Sequence, residues 1–93
     1  MAKKTRVHMI ISGRVQGVCF RAETQRAAQL YGVNGWVRNQ PDGTVEAVAE
    51  GDAADVQSLI NWCRKGPPVS RVDDVQVRWQ DYEGAFETFK ITY

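Results

Sequence analysis

Apolar and polar positions alternate along this chain with two different periods, and the switches between them mark the elements. The run Val7-His8-Met9-Ile10-Ile11 is short and rich in branched side chains, and it stops at Ser12-Gly13. It predicts a buried strand. From Phe20 to Tyr31 the composition turns to Ala, Gln, Glu and Arg, which favour helix. Phe20, Thr24, Ala27, Leu30 and Tyr31 are assigned to one face, as a helix packed on a sheet requires, and Gly32 ends it. Val33 to Asn39 reads as a second strand. Gln40-Pro41-Asp42-Gly43 is turn chemistry, with Pro presetting φ and Gly tolerating the positive region. Thr44 to Glu50 returns as a strand, so the pair forms a hairpin. Val45, Ala47 and Ala49 share one face of it, and Val48 interrupts the polar side.

Gly51-Asp52 opens a second helix, with Asp52 as its expected N-cap and Asp55 in the first turn. Val56, Leu59, Ile60 and Cys63 recur at helical spacing, the clearest amphipathic signal in the sequence. Arg64 and Lys65 suit the C-terminal dipole, Gly66 caps it, and Pro67-Pro68 prevent continuation. Val75, Val77 and Trp79 alternate in a fourth strand. Tyr82-Glu83-Gly84 reads as a loop. Phe89, Ile91 and Tyr93 alternate in a last strand, placed at an edge. Trp62, Trp79, Phe86 and Phe89 read as core or strand-face residues. The order is β-α-β-β-α-β with an extra C-terminal strand. It is the ferredoxin-like split βαβ pattern, an α+β sandwich. Its expected sheet is antiparallel, with both helices on one face.

Composition narrows the function classes. At 93 residues the chain is expected to form one domain, 1–93, with a thin burial margin. A hydrophobic share of 43% with 25% charged residues is ordinary for a globular protein. No apolar run approaches the ~20 residues a membrane helix needs. The basic start, Met1-Ala2-Lys3-Lys4-Thr5-Arg6, lacks the apolar stretch of a signal peptide, so the expected location is cytoplasmic. A formal net charge of +1 makes no bulk case for nucleic acid or an anionic membrane. Cys19 and Cys63 form no C-x-x-C pair and His8 is the sole histidine, which argues against a zinc site. The sequence leaves a Cys19–Cys63 disulfide open, though a cytosolic setting disfavours it.

The candidate chemistry sits in Gly13-Arg14-Val15-Gln16-Gly17-Val18-Cys19-Phe20-Arg21, between the first strand and first helix. A helix N-terminus exposes unpaired amides and a positive dipole end, and consecutive amides in a turn form an anion-sized nest. Gly17 lets the backbone bend towards a ligand. Arg21, in the first helical turn, can fork onto phosphate oxygens. Taken alone, the loop reads more readily as a turn followed by a solvated arginine. It lacks the Walker A lysine pattern. A second segment, Gly35-Trp36-Val37-Arg38-Asn39, ends at an asparagine that offers one donor group and one acceptor and also reads as a turn initiator.

Together these segments resemble the acylphosphatase family. The first matches G-[RK]-V-Q-G-V-x-[FY]-R at every fixed position from Gly13 to Arg21. The second matches G-[FYW]-[AVC]-[KRQAM]-N-x-x-x-G-x-V from Gly35 through Asn39 and Gly43 to Val45, with Gly51 in the family's spacing. The resemblance implies metal-independent hydrolysis of an acyl phosphate, with no cofactor, and inorganic phosphate or sulfate as a ligand. It implies that Arg21 binds phosphate and that Asn39 positions the water. It implies a phosphate cradle built from the amides of Gln16, Gly17, Val18, Cys19, Phe20 and Arg21. Cys19 occupies a position that is often Gly in relatives and is expected to tuck its small side chain under the helix. It lies two positions before Arg21, too near for a cysteine-phosphatase loop.

Two alternatives stay open at this point. An RNA-binding domain shares the strand–helix order, but its two central strands carry stacking aromatics, and Val7–Ile11 and Thr44–Glu50 carry none. A non-catalytic anion-binding domain shares the loop, but retention of both Arg21 and Asn39 favours catalysis. The partner is then a small molecule and the chain a monomer, with neither nucleic acid nor membrane.

Overall fold

The structure is a computed structural model that describes residues 3–93; Met1 and Ala2 of the basic start lie outside the described residues. The elements run β1 (Lys4–Arg14), α1 (Phe20–Tyr31), β2 (Asn34–Asn39), β3 (Val45–Asp52), α2 (Ala53–Lys65), β4 (Arg71–Gln80) and β5 (Phe89–Ile91). They form one sheet in the order β4-β1-β3-β2-β5. The four longer strands pair antiparallel, as expected. The exception is β5, which adds to the edge parallel to β2. Its connection from β4 runs across the end of the sheet, so the last strand enters from the same side as β2.

β1 extends beyond its apolar run at both ends. Lys4, Thr5 and Arg6 pair with β3, and Ser12, Gly13 and Arg14 pair with β4. A central strand has hydrogen-bond partners on both edges, so ladder pairing carries it through polar positions. Val7, Met9 and Ile11 of β1, Val45, Ala47 and Ala49 of β3, and Val37, Val75 and Phe89 from the neighbouring strands face Phe20, Ala27, Ala28, Val56, Leu59, Ile60 and Cys63 from the helices. This is the single-sided core that the alternation predicts.

Two local expectations change. Leu30 is exposed and Ala28 is buried in its place. At 3.6 residues per turn, Leu30 falls roughly a quarter turn off the line through Phe20, Thr24, Ala27 and Tyr31. Thr24 belongs to that face because its hydroxyl donates to the Phe20 carbonyl at 2.7 Å. Asp52 occupies the N-cap position of α2 but its side chain makes no capping hydrogen bond. Its carboxylate instead lies 2.9 Å from Lys4 Nζ, and the Ala53 amide donates to the Lys3 carbonyl at 2.7 Å. Trp79, half exposed at the end of β4, is a strand-face residue.

Gly35 is fixed by close approach. A Cβ there would run into the Val48 carbonyl of the neighbouring strand, and its φ is +151°. Val48 itself lies on the helix-free face between His8 and Trp36 in register, which accounts for its break in the alternation. On that face Glu46 bridges His8, at 2.7 Å, and Arg38, at 2.6 Å. No helix among the described residues is long and apolar enough to cross a membrane.

Candidate active site

Three segments meet at the end of β2. The turn from β1 into α1 is bent by two left-handed residues, Gly17 at φ +73° and Cys19 at φ +62°. Cys19 is the N-cap of α1 and gives it no side-chain hydrogen bond. The first helical bond runs from the Glu23 amide to the Cys19 carbonyl at 3.1 Å. The amides of Phe20, Arg21 and Ala22 therefore precede any intrahelical acceptor and point out of the helix end.

Gly17, Cys19, Phe20, Arg21 and Asn39 line one cavity of about 390 Å³. Gln16 and Val18 do not line it. Gln16 instead turns its side chain across to the hairpin, where Nε2 donates to the Gln40 carbonyl at 2.8 Å and to the Thr44 carbonyl at 2.9 Å. That clamp fixes the loop against the residue following Asn39. Val18 is buried. Phe20 also sends its ring into the core, 5.7 Å from the Trp62 ring centroid, so only its backbone is available to a ligand.

Asn39 is the last residue of β2, held in register opposite Val45. Beyond it the expected turn forms. Gln40 and Thr44 pair backbone to backbone at 2.8 Å, and Asp42 Oδ1 accepts from the Thr44 amide at 3.0 Å and its hydroxyl at 2.7 Å. Asn39 Oδ1 is buried and accepts no hydrogen bond from any described residue. A buried acceptor left without a partner costs about 1–3 kcal/mol.

Arg21 reaches from α1 to the chain's last residues. Its Nη1 donates to the Thr92 carbonyl at 3.4 Å, and its guanidinium carbon lies 4.9 Å from the Tyr93 ring centroid. Sequence reasoning missed this third segment, including Ile91 and Tyr93 in the cavity wall. Seventy positions or more separate it from Arg21, and no local pattern links them.

The cysteines are both free. Cys19 is exposed, against the expectation that it tucks under the helix: at the N-cap its left-handed backbone turns the side chain outward. Cys63 lies in the core, where burial pushes its thiol up to about 12.

Strand order and helix placement define a ferredoxin-like α/β sandwich, with this cavity at the end of β2. The acylphosphatase family model matches residues 7–91. The chain is 59% identical to an acylphosphatase of Syntrophobacter fumaroxidans over 90 residues, covering 97% of this chain and 93% of that one. It is 53% identical to an acylphosphatase of Pelotomaculum thermopropionicum, covering 97% and 98%. Among solved structures, the crystal structure of acylphosphatase from Bacillus subtilis superposes with a TM-score of 0.92 at 37% identity, covering 96% of this chain and 99% of that one. The chain belongs to the acylphosphatase family, enzymes that hydrolyse phosphorus-containing acid anhydrides.

Proposed function

We propose that the chain hydrolyses the carboxyl–phosphate bond of acyl phosphates without a metal ion, as a cytoplasmic monomer. The substrate phosphate sits at the turn into α1, held by the backbone amides of the loop residues that line the cavity, Gly17, Cys19, Phe20 and Arg21, and by the Arg21 guanidinium. Asn39 Oδ1 accepts a hydrogen bond from the attacking water and aims its lone pair at phosphorus. The phosphorus–oxygen bond to the acyl group breaks, and the acyl oxygen leaves with the electron pair as a carboxylate. A phosphate oxygen takes the water's proton, so the products are a carboxylate and inorganic phosphate.

The observation that carries this reading is the buried, unpartnered Oδ1 of Asn39 in the same cavity as Arg21 and the start of α1. A structural asparagine at a strand end has no reason to leave that atom unsatisfied. The leaving group explains why so little machinery suffices. A carboxylic acid has a pKa of about 4, so the carboxylate departs without being protonated. Phosphoryl transfer then needs mainly positioning and charge stabilisation, which amides and a guanidinium supply.

The test is loss of benzoyl phosphate absorbance in the presence of EDTA. Arg21→Ala is expected to lose turnover and inhibition by inorganic phosphate together. Arg21→Lys fails too, because an ammonium is a point charge and cannot fork. Asn39→Ala loses roughly 10²–10³ in kcat, the scale for one positioned polar group, and remains inhibited by phosphate. Normal turnover by Asn39→Ala, or an absolute need for added Mg²⁺, contradicts the mechanism.

A further inference from the structure

Gln16 belongs to the loop into α1, but its side chain serves the hairpin. The residues on either side of it, Val15 and Gly17, line the cavity, while Gln16 itself does not. A side-chain amide nitrogen carries two protons. Gln16 Nε2 donates to the Gln40 carbonyl at 2.8 Å and to the Thr44 carbonyl at 2.9 Å, so both protons are engaged across the gap.

The two carbonyls flank Asn39. Gln40 follows it in the chain, and Thr44 precedes Val45, the residue opposite Asn39 in the β2–β3 register. The hairpin closes without help from Gln16. The Gln40 carbonyl also accepts from the Gly43 amide at 3.1 Å, and the Thr44 carbonyl from the Gln40 amide at 2.8 Å. A carbonyl oxygen has two lone pairs; the turn uses one of each pair and Gln16 the other. What these two bonds add is the placement of the hairpin end against the loop. Among the described residues they are the only side-chain hydrogen bonds that join residues 15–19 to the hairpin.

We infer that Gln16 is a positioning residue, which sets the place of Asn39 relative to the phosphate cradle; this rests on the roles proposed above for Asn39 and the cradle. The two halves of that site come from separate segments. The loop amides and Arg21 belong to the turn and α1, while Asn39 ends β2. In-line attack needs the two halves in register, and a misplacement of about 1 Å costs about 10²-fold in rate. Asn39 Oδ1 accepts no hydrogen bond from any described residue, so its place follows from its backbone. Gln16 grips that backbone one residue beyond Asn39 and joins the cavity wall one residue before Gly17.

The test removes the clamp in two ways. Gln16→Met keeps the reach of the side chain and loses both donors. Gln16→Glu sets a carboxylate against the two carbonyls. For each variant, kcat and KM for benzoyl phosphate and Ki for inorganic phosphate are measured, in the parent chain and with Asn39→Ala, each kcat normalised to the folded fraction. In the parent chain kcat is expected to fall about ten- to a hundredfold, with KM and Ki within about twofold of the parent values. With Asn39→Ala already in place, the same substitutions are expected to lower kcat by less than about threefold, because the water they misplace is no longer held. A purely structural role gives equal losses in both backgrounds. Equal losses, or an unchanged kcat in both Gln16 variants, overturn the positioning role and leave the assignment of Asn39 intact. A rise in Ki parallel to the fall in kcat overturns it too, since Gln16 then acts on phosphate binding. Full turnover by Asn39→Ala alone overturns the proposed role of Asn39, and this inference with it.

Discussion

Gly17 and Cys19 sit two positions apart with left-handed backbones, and only one of them is a glycine. Holding an L-residue there costs about 1–2 kcal/mol. Cys19→Gly removes that strain but frees the unfolded chain, which costs roughly 0.5–1 kcal/mol. Relief is the larger effect, so the urea midpoint is expected to rise by the equivalent of up to about 1 kcal/mol, with turnover retained. Gly17→Ala runs the other way. A Cβ at Gly17 meets nothing within 4 Å, so its cost is torsional alone. A loss of about 1–2 kcal/mol is expected, with turnover falling as the loop departs from its bend. A lower midpoint for Cys19→Gly than for the parent sinks the strain argument. The motif located both residues correctly at the turn. It missed the direction of the Cys19 side chain because a residue's letter does not record the sign of its φ unless it is glycine.

Hairpin, amphipathic helix and helix stops were legible because their chemistry is local: Pro41-Asp42-Gly43 makes its own turn, and Gly66 ends α2 by donating its amide to the Trp62 carbonyl at 2.8 Å. Glu50 shows what was not. Alternation marks it as a polar strand residue, yet it is buried at 2% exposure. Its carboxylate accepts from the amides of Glu83 and Ala85, each at 2.8 Å, and from Arg6 Nη1 at 3.3 Å. It thereby latches the loop between β4 and β5, more than thirty positions away. Burial pushes the Glu50 carboxyl up, but the two amides and the Arg6 guanidinium outweigh it and hold the group below the ordinary glutamate range. A carboxyl depressed in the folded state stabilises above its unfolded pKa of about 4.3 and loses that contribution as pH falls through its lower folded value. Stability measured by urea from pH 7 to 3 is therefore expected to fall through the acid range. Glu50→Gln is expected to cost about 1–3 kcal/mol at pH 7 and to flatten the acid slope. An acid slope identical to the parent's removes Glu50 as its source.

At the scale of the whole molecule, the candidate site exists only because three stretches distant in sequence are brought to one corner, and β5 is the weakest of the elements that do so. It has three residues and one strand neighbour. What fixes it is Phe89, 1% exposed in the core, with the Gly35 amide donating to Thr88 at 2.9 Å and the Thr92 amide donating to Val37 at 2.8 Å. The Thr92 carbonyl and Tyr93 ring that steady Arg21 follow directly from this strand. Fold order and the Arg21–Asn39 pair could be read from the sequence, but the C-terminal contribution to the site could not, because parallel pairing with β2 leaves no signature within the segment itself. Phe89→Ala is expected to cost about 3–5 kcal/mol through the cavity it leaves. Domains of this size have roughly 5–15 kcal/mol in hand, so the variant stays largely folded at low temperature. Its turnover, normalised to the folded fraction, is nevertheless expected to drop, because Arg21 loses the carbonyl and the ring that hold its guanidinium over the cavity. Inhibition by inorganic phosphate should weaken in parallel, since the proposed mechanism gives the same guanidinium both tasks. If turnover per folded molecule stays at the parent value, Arg21 is positioned by α1 alone and β5 contributes only stability.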